Sequence, residues 1–244
     1  MEETELRSHT KCNVTLKSKA GVVEQSCNLE GHSIIKSCHL KRLVTYSKKT
    51  HVDMDRSIIL CGATSAGKRK IANALSNNRK GFKPIINIAR NVMTKDSITR
   101  EDILESLKTE KKEKFLQLQR HIITEQNNLE SEGGPFISAN GINPLAFARY
   151  YVDREAADQL AQDSATRDCL KRYRECSVLA LRPLVEPTDD RTHLMQTSEE
   201  QNEFTQVLCD LLQEYGIHYK EIDEDNLEQV LKEPPLSPSR GRSK

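Results

Sequence analysis

Gly62-Ala63-Thr64-Ser65-Ala66-Gly67-Lys68 fits the pattern GxxxxGK, whose residue types and spacing suit one chemistry, the binding of phosphate. Glycines at both ends let backbone N–H groups turn inward on phosphate oxygens. A helix beginning at the loop adds a favourable field, and Lys68 adds a point charge near the terminal phosphates. The pattern predicts a nucleotide ligand, ATP or another nucleoside triphosphate, held by Gly62, Ala63, Thr64, Ser65, Ala66, Gly67, Lys68, Arg69 and Lys70.

The position after the lysine complicates that chemistry. Such a loop ordinarily places Ser or Thr there to ligate Mg²⁺, and here it is Arg69, followed by Lys70. Neither can coordinate a cation, and both repel one. Three cations in a row at a helix N-terminus also oppose the helix dipole, an opposition that an anion in the loop relieves. The Arg69 guanidinium could neutralise phosphate charge in place of the metal, its bulk could close the site, or it could point to solvent; the sequence leaves all three open. No metal site is expected elsewhere. Cys12, Cys27, His32, Cys38 and His39 lack any CxxC pair and are irregularly spaced. The seven cysteines read as reduced thiols.

A phosphate loop needs a strand before it and a helix after it, and the sequence supplies both. Arg56 to Cys61 is a short apolar run of the kind buried on both faces of a parallel sheet, and Ile71, Ala72, Ala74 and Leu75 recur at helical spacing after the loop. Further strands are expected at Pro84 to Ile88, Phe136 to Ser138, Ser177 to Leu181 and Ile217 to Ile222. Helices are expected from Thr99 to about Glu130, from Pro144 through Leu160, from Thr197 or Ser198 to Gly216, and from about Asn226 to Leu231. Alternation of this kind predicts an α/β fold, a P-loop NTPase-like parallel sheet of about five strands flanked by helices on both faces. The nucleotide-binding domain is placed at 56–232. Residues 1–55 read as a weakly structured N-terminal extension with one short element near Leu40 to Tyr46, and 233–244, EPPLSPSRGRSK, as a disordered tail.

Composition narrows the setting. The chain has 244 residues, 36% hydrophobic, with no run near the roughly 18 apolar residues of a membrane span. Its first twenty residues lack the apolar core of a secretory signal, so a cytoplasmic or nuclear location is expected. A net charge of +1 gives no global field for anions, so their recognition must be local. Nothing aromatic or repetitively basic extends the Lys68-Arg69-Lys70 patch, which sets nucleic acid aside as the expected partner. No feature identifies a protein partner.

From Arg56 to Leu231 the order of motifs resembles the NadR-type P-loop family, an AAA-like group that includes NadR nucleotide kinases and related eukaryotic nucleotide-binding domains. The resemblance rests on IILCGATSAGK, INIARNVM (Ile86 to Met93), LQLQRHIITEQ, GINPLAFARYY (Gly141 to Tyr151), the EPTDDRTH loop and the terminal HYKEI. It implies a nucleotide-binding kinase or ATPase-like domain. The family usually carries an acid where Asn87 stands, and ends the strand before GINP in Asp-Arg, where this chain has Ser138 and Ala139. The carboxylate and the hydroxyl that would hold Mg²⁺ are thus both missing from their family positions, and phosphoryl transfer depends on that metal. Asp153, Asp158 or Glu186 could serve if the strand is misaligned by a residue or two. Asp189 and Asp190 correspond to the family's acidic loop and are the candidates for a catalytic role, while its arginine matches Arg191 or His193. The leading expectation is a nucleotide-binding protein with weak or absent turnover, a pseudoenzyme. The others are an active NTP-dependent kinase or NTPase, and a module binding another polyanion such as a phosphoinositide or RNA.

Overall fold

The computed structural model describes residues 12–18, 21–27, 57–108, 112–184, 194–195 and 197–232. The chain divides into two compact units, Met1–Thr45 and Tyr46–Lys244. In the first, β1 (Cys12–Ser18) and β2 (Gly21–Cys27) pair antiparallel, with Cys12 opposite Cys27 and Ser18 opposite Gly21. β1 alternates apolar and polar residues from Cys12 to Lys17, the period of a strand, whereas β2 does not, and the strands lie in the stretch expected to be weakly structured. The element expected near Leu40 to Tyr46 and the tail at 233–244 lie outside the described residues.

The second unit holds five parallel strands in the order β4-β5-β3-β6-β7, with β3 (Ile58–Gly62) in the middle. β4 (Lys83–Ile85) and β5 (Phe136–Ser138) lie on one side of it, β6 (Ser177–Leu181) and β7 (Tyr219–Ile222) on the other. The α/β parallel sheet expected from the sequence is the observed fold. The side chains of β3 alternate between two cores. Ile59 and Cys61 face one, with Phe115, Leu145, Phe204 and Leu208, and Ile58 and Leu60 face the other, with Ile71, Leu75 and Val230. Helices therefore cover both faces, which is why β3 and β6 are buried at every residue.

Among the described residues there are nine helices. α1 (Lys68–Asn78) and α9 (Glu224–Lys232) close one face. α2 (Ile88–Lys95), α3 (Arg100–Lys108), α4 (Lys112–Glu130), α5 (Asn143–Tyr151), α6 (Arg154–Ala161), α7 (Ser164–Tyr173) and α8 (Ser198–Glu214) contribute to the other. Local chemistry explains where the boundaries differ from expectation. The strand expected to reach Ile88 stops at Ile85, because Asn87 turns into the left-handed region at φ 60 and Ile88 opens α2. The helical stretch from Thr99 to Glu130 is two helices, the first started by Thr99 and Asp102, whose side chains bond reciprocally to each other's backbone N–H. The expected helix through Leu160 is interrupted at Val152–Asp153, where Asp153 becomes an N-cap and accepts from the Ala156 N–H at 2.8 Å. α8 begins with the expected Thr197, in a full capping box with Glu200.

Candidate functional site

β3 ends at the C-terminal edge of the sheet, next to the point where chain connections diverge to either side, the place where open parallel sheets accept ligands. The loop from Gly62 to α1 stands there. Gly62 has φ 148, and a Cβ on it would lie 2.7 Å from the Leu181 carbonyl oxygen, so only glycine lets β3 leave the sheet at this angle. Ser65 and Gly67 take left-handed conformations at φ 66 and 83. The bend is closed by one bond, from the Ala66 N–H to the Ala63 oxygen at 3.3 Å. Among the described residues the N–H groups of Thr64, Ser65, Gly67 and Lys68 donate to no backbone or side-chain acceptor. The buried hydroxyls of Thr64 and Ser65 also lack a partner. This is a nest of unspent donors at a helix start.

Three side chains hold the nest. Lys68 Nζ donates to the carbonyls of Gly62 at 2.7 Å and Ala63 at 2.5 Å. Burial pushes its ammonium down to about 8, with Cys61 acting in the opposite sense. Cys61 is itself pushed up to about 12 by burial and so stays a neutral thiol beneath the loop. Asn143 at the start of α5 grips the Gly62 peptide from both sides: its Oδ1 accepts from the Gly62 N–H at 3.2 Å, and its Nδ2 donates to the Gly62 oxygen at 2.6 Å. Gln201 on α8 donates from Nε2 to the Thr64 oxygen at 3.0 Å. Neither Asn143 nor Gln201 announces itself in the sequence. Asn143 precedes Pro144 like an ordinary helix opener, and its partner is 81 residues away; the only signal is a polar residue at a buried position.

The loop forms one wall of a cleft of about 660 Å³, which residues 64–70 line together with parts of α2, α3, α4 and α5. Of the expected site residues, Thr64, Ser65, Ala66, Gly67, Lys68, Arg69 and Lys70 face it, whereas Gly62 and Ala63 lie behind, buried. Arg90 and Arg100 add to Lys68, Arg69 and Lys70 on its lining, against a single carboxylate among the described residues, Glu101. Asn87 and Ala139 line it as well, while Ser138 is fully buried behind them. Asp153 caps α6 and Asp158 pairs with Arg154 at 3.8 Å, and neither reaches the cleft. Glu186, Asp189, Asp190, Arg191 and His193 lie outside the described residues. Among the described residues no group of three His, Cys, Asp or Glu side chains could hold a metal ion. The N–H groups, hydroxyls and cations around the loop are donors of the kind that fit an anion. Among the described residues no helix is long and apolar enough to cross a membrane.

Behind the cleft, a buried polar chain fixes the segment that carries Asn143. Gln126 on α4 donates to the Gly141 oxygen at 2.9 Å and accepts from Asn140 Nδ2 at 2.6 Å. It also bonds Glu130 and Tyr173. Glu130, with a fully buried side chain, receives Arg172 Nη1 at 2.8 Å and the Tyr173 hydroxyl at 3.0 Å. Gly141 packs so closely on Cys61 that a Cβ there would lie 2.1 Å from its Sγ.

Among solved structures the chain is similar to NadR in complex with NAD and AMP-PNP, at 18% identity and a TM-score of 0.53, over 85% of this chain and 59% of that one. It is similar also to NadR in complex with NR, at 16% identity and a TM-score of 0.53, over 80% and 57%. The chain thus spans less than two thirds of the length of either, and at such identity the likeness is one of fold. No curated protein sequence matches it. Residues 57–229, well over half of the chain, match the AAA domain family, and the protein belongs to that family as a P-loop domain with a NadR-like fold.

Proposed function

We propose that this protein binds a nucleoside triphosphate, ATP or a close relative, by its phosphates and without Mg²⁺, and that it turns the nucleotide over weakly or not at all. The observation that carries the reading is the pairing of an open nest with a cleft whose described lining is rich in cations and poor in carboxylates. The backbone N–H groups of Thr64, Ser65, Gly67 and Lys68, the Thr64 and Ser65 hydroxyls and Lys68 Nζ are the phosphate ligands, and Arg69 and Lys70 supply the charge that a metal would otherwise bring. Phosphoryl transfer needs charge neutralised at the transferred group and a positioned nucleophile, and the described wall offers no carboxylate beside the loop for either task. AMP-PNP in the NadR complex agrees with a triphosphate ligand for this fold. The functional unit is 56–232, acting in the cytosol or nucleus.

Calorimetric titration with ATP and GTP, each with magnesium and with chelator, tests this. Affinity should change by less than about threefold on removing magnesium. A loss of about tenfold or more with chelator overturns metal-free binding.

A second reading is an active phosphotransferase or hydrolase that takes its carboxylates from Asp189 and Asp190. Leu184 lies 3.9 Å from the position of a Cβ on Gly67, and Leu194 lines the cleft, so the described residues on either side of these acids in the sequence are both at the site. Magnesium-dependent turnover abolished by Asp190→Asn would establish it.

A further inference from the structure

The N-terminal unit brings together two residues that the sequence keeps apart. β1 and β2 pair antiparallel from Ser18 opposite Gly21 to Cys12 opposite Cys27, so two of the seven cysteines hold opposed register positions at the open end of a hairpin. Directly opposed residues share a face of the ribbon, and the faces alternate along each strand. One face carries Cys12, Val14 and Leu16 opposite Cys27, Gln25 and Val23, while the other is polar but for Val22. A slip of one residue would move Val14 and Leu16 to the face of Glu24 and Ser26, and the two-residue connection from Ser18 to Gly21 leaves no slack for it. The pattern therefore favours the register that opposes the cysteines.

That register suits a covalent link. Directly opposed Cα atoms of an antiparallel pair are about 4.5 to 5.5 Å apart, inside the roughly 4.4 to 6.8 Å that a disulfide spans. A two-stranded hairpin is marginal by itself in water, and a bond across its open end closes it. The thiols of the α/β unit are placed differently. Cys61, Cys169, Cys176 and Cys209 are free and buried, and burial pushes Cys61 and Cys169 up to about 12, which leaves those two almost no thiolate to react. Cys38 lies outside the described residues.

We propose that Cys12 and Cys27 form a reversible modification site, two thiols under a reducing glutathione poise and an intrachain disulfide under an oxidising one. One thiolate attacks a sulfur of glutathione disulfide and releases one glutathione. The other then attacks the protein sulfur of that mixed disulfide and releases the second. The two cysteines lose two electrons and two protons, which end on the two glutathione thiols. Disulfides of this reversible kind are the ones that occur in reducing compartments.

The full chain is equilibrated, folded, with mixtures of reduced and oxidised glutathione, quenched with N-ethylmaleimide and digested with trypsin without reduction, and the peptides from the monomer are weighed by mass spectrometry. Cleavage after Lys11, Lys17, Lys19, Lys36 and Lys41 puts Cys12, Cys27 and Cys38 on three separate peptides, so each linkage has its own mass. Chain statistics alone favour Cys27 with Cys38, which is nearer to it in the sequence than Cys12 is. The register instead predicts that the link from Cys12 to Cys27 exceeds the link from Cys27 to Cys38 by about fivefold or more. Val23→Pro, which breaks the ladder opposite Leu16, should bring that ratio to about one or below. A smaller excess in the parent chain, glutathione mixed disulfides in place of the link, or an excess that survives Val23→Pro overturns the site.

Discussion

Two clusters of charge in this protein are handled in opposite ways. Around Glu130 every group is spent. The carboxylate meets Arg172 at 2.8 Å, and the guanidinium goes on to Asn127 at 3.0 Å and Ser131 at 2.8 Å. Burial pushes the Glu130 carboxyl up while Arg172 pulls it down. Around the phosphate loop the balance is left open: Lys68, Arg69, Lys70 and Arg90 have no carboxylate partner among the described residues, and two loop hydroxyls are orphaned. The first arrangement stabilises the fold, and the second leaves donors unpaired, as the proposed phosphate binding requires. Removing a group should therefore cost folding in one region and binding in the other.

The largest effect is expected at Glu130. Glu130→Ala strands a guanidinium that is 10% exposed and frees Tyr173 and Gln126 from their shared acceptor. Breaking one half of a buried pair costs about 3–5 kcal/mol, to be read from urea denaturation. A loss below about 1 kcal/mol would mean that the cluster is wetter and weaker than its geometry implies.

Lys68→Ala is the opposite case. It removes one point charge and two bonds to loop carbonyls, so nucleotide affinity should fall about a hundredfold while the unfolding midpoint stays close to that of the parent. Equal losses of folding and binding would sink the contrast between the two regions.

How much of this could be read in the sequence follows the range of the interactions. The loop is a run of seven residues with its own strand and helix, so pattern alone places it, and the capping box of Thr197 and Glu200 is as local. The buried runs of β3, β5 and β6 are legible because both faces are covered and every residue is apolar or small. The clamp on Gly62 and the bond from Gln201 to Thr64 span 81 and 137 residues, and leave no local trace beyond a polar side chain where an apolar one would pack. Gln119 and Gln126 look alike in a helical stripe, and only the fold shows that one is satisfied and the other is not. The turn at Asn87 was hidden for another reason: PIINI suits a strand, and a single left-handed residue ends it.

Asn143 belongs to both regions, because the Glu130 chain positions its segment and its side chain shapes the nest. Asn143→Ala leaves the Gly62 N–H buried without an acceptor, a penalty of about 1–3 kcal/mol. Unlike the two previous variants it should lower stability and nucleotide affinity together. Unchanged affinity would show that Lys68 and Gln201 suffice to hold the loop.

The smallest effect is one of pH, and it separates charge from shape within the loop. Burial sets the Lys68 ammonium at about 8, below its ordinary 10.5, so the free protein releases this proton as pH passes 8. A bound polyphosphate favours the charged form and restores the proton. Nucleotide affinity should therefore be level below about pH 7 and fall by up to about tenfold per unit above 8, after the phosphate's own ionisation near pH 6 is complete. Stability takes the opposite sign: between 8 and 10.5 the unfolded chain holds the proton that the folded loop has lost, so this group makes folding more favourable as pH rises through that window. Lys68→Arg, charged throughout, should flatten both profiles. An affinity profile that still falls in the arginine variant would assign the titration to another group and leave Lys68 as a spacer between the two carbonyls it holds.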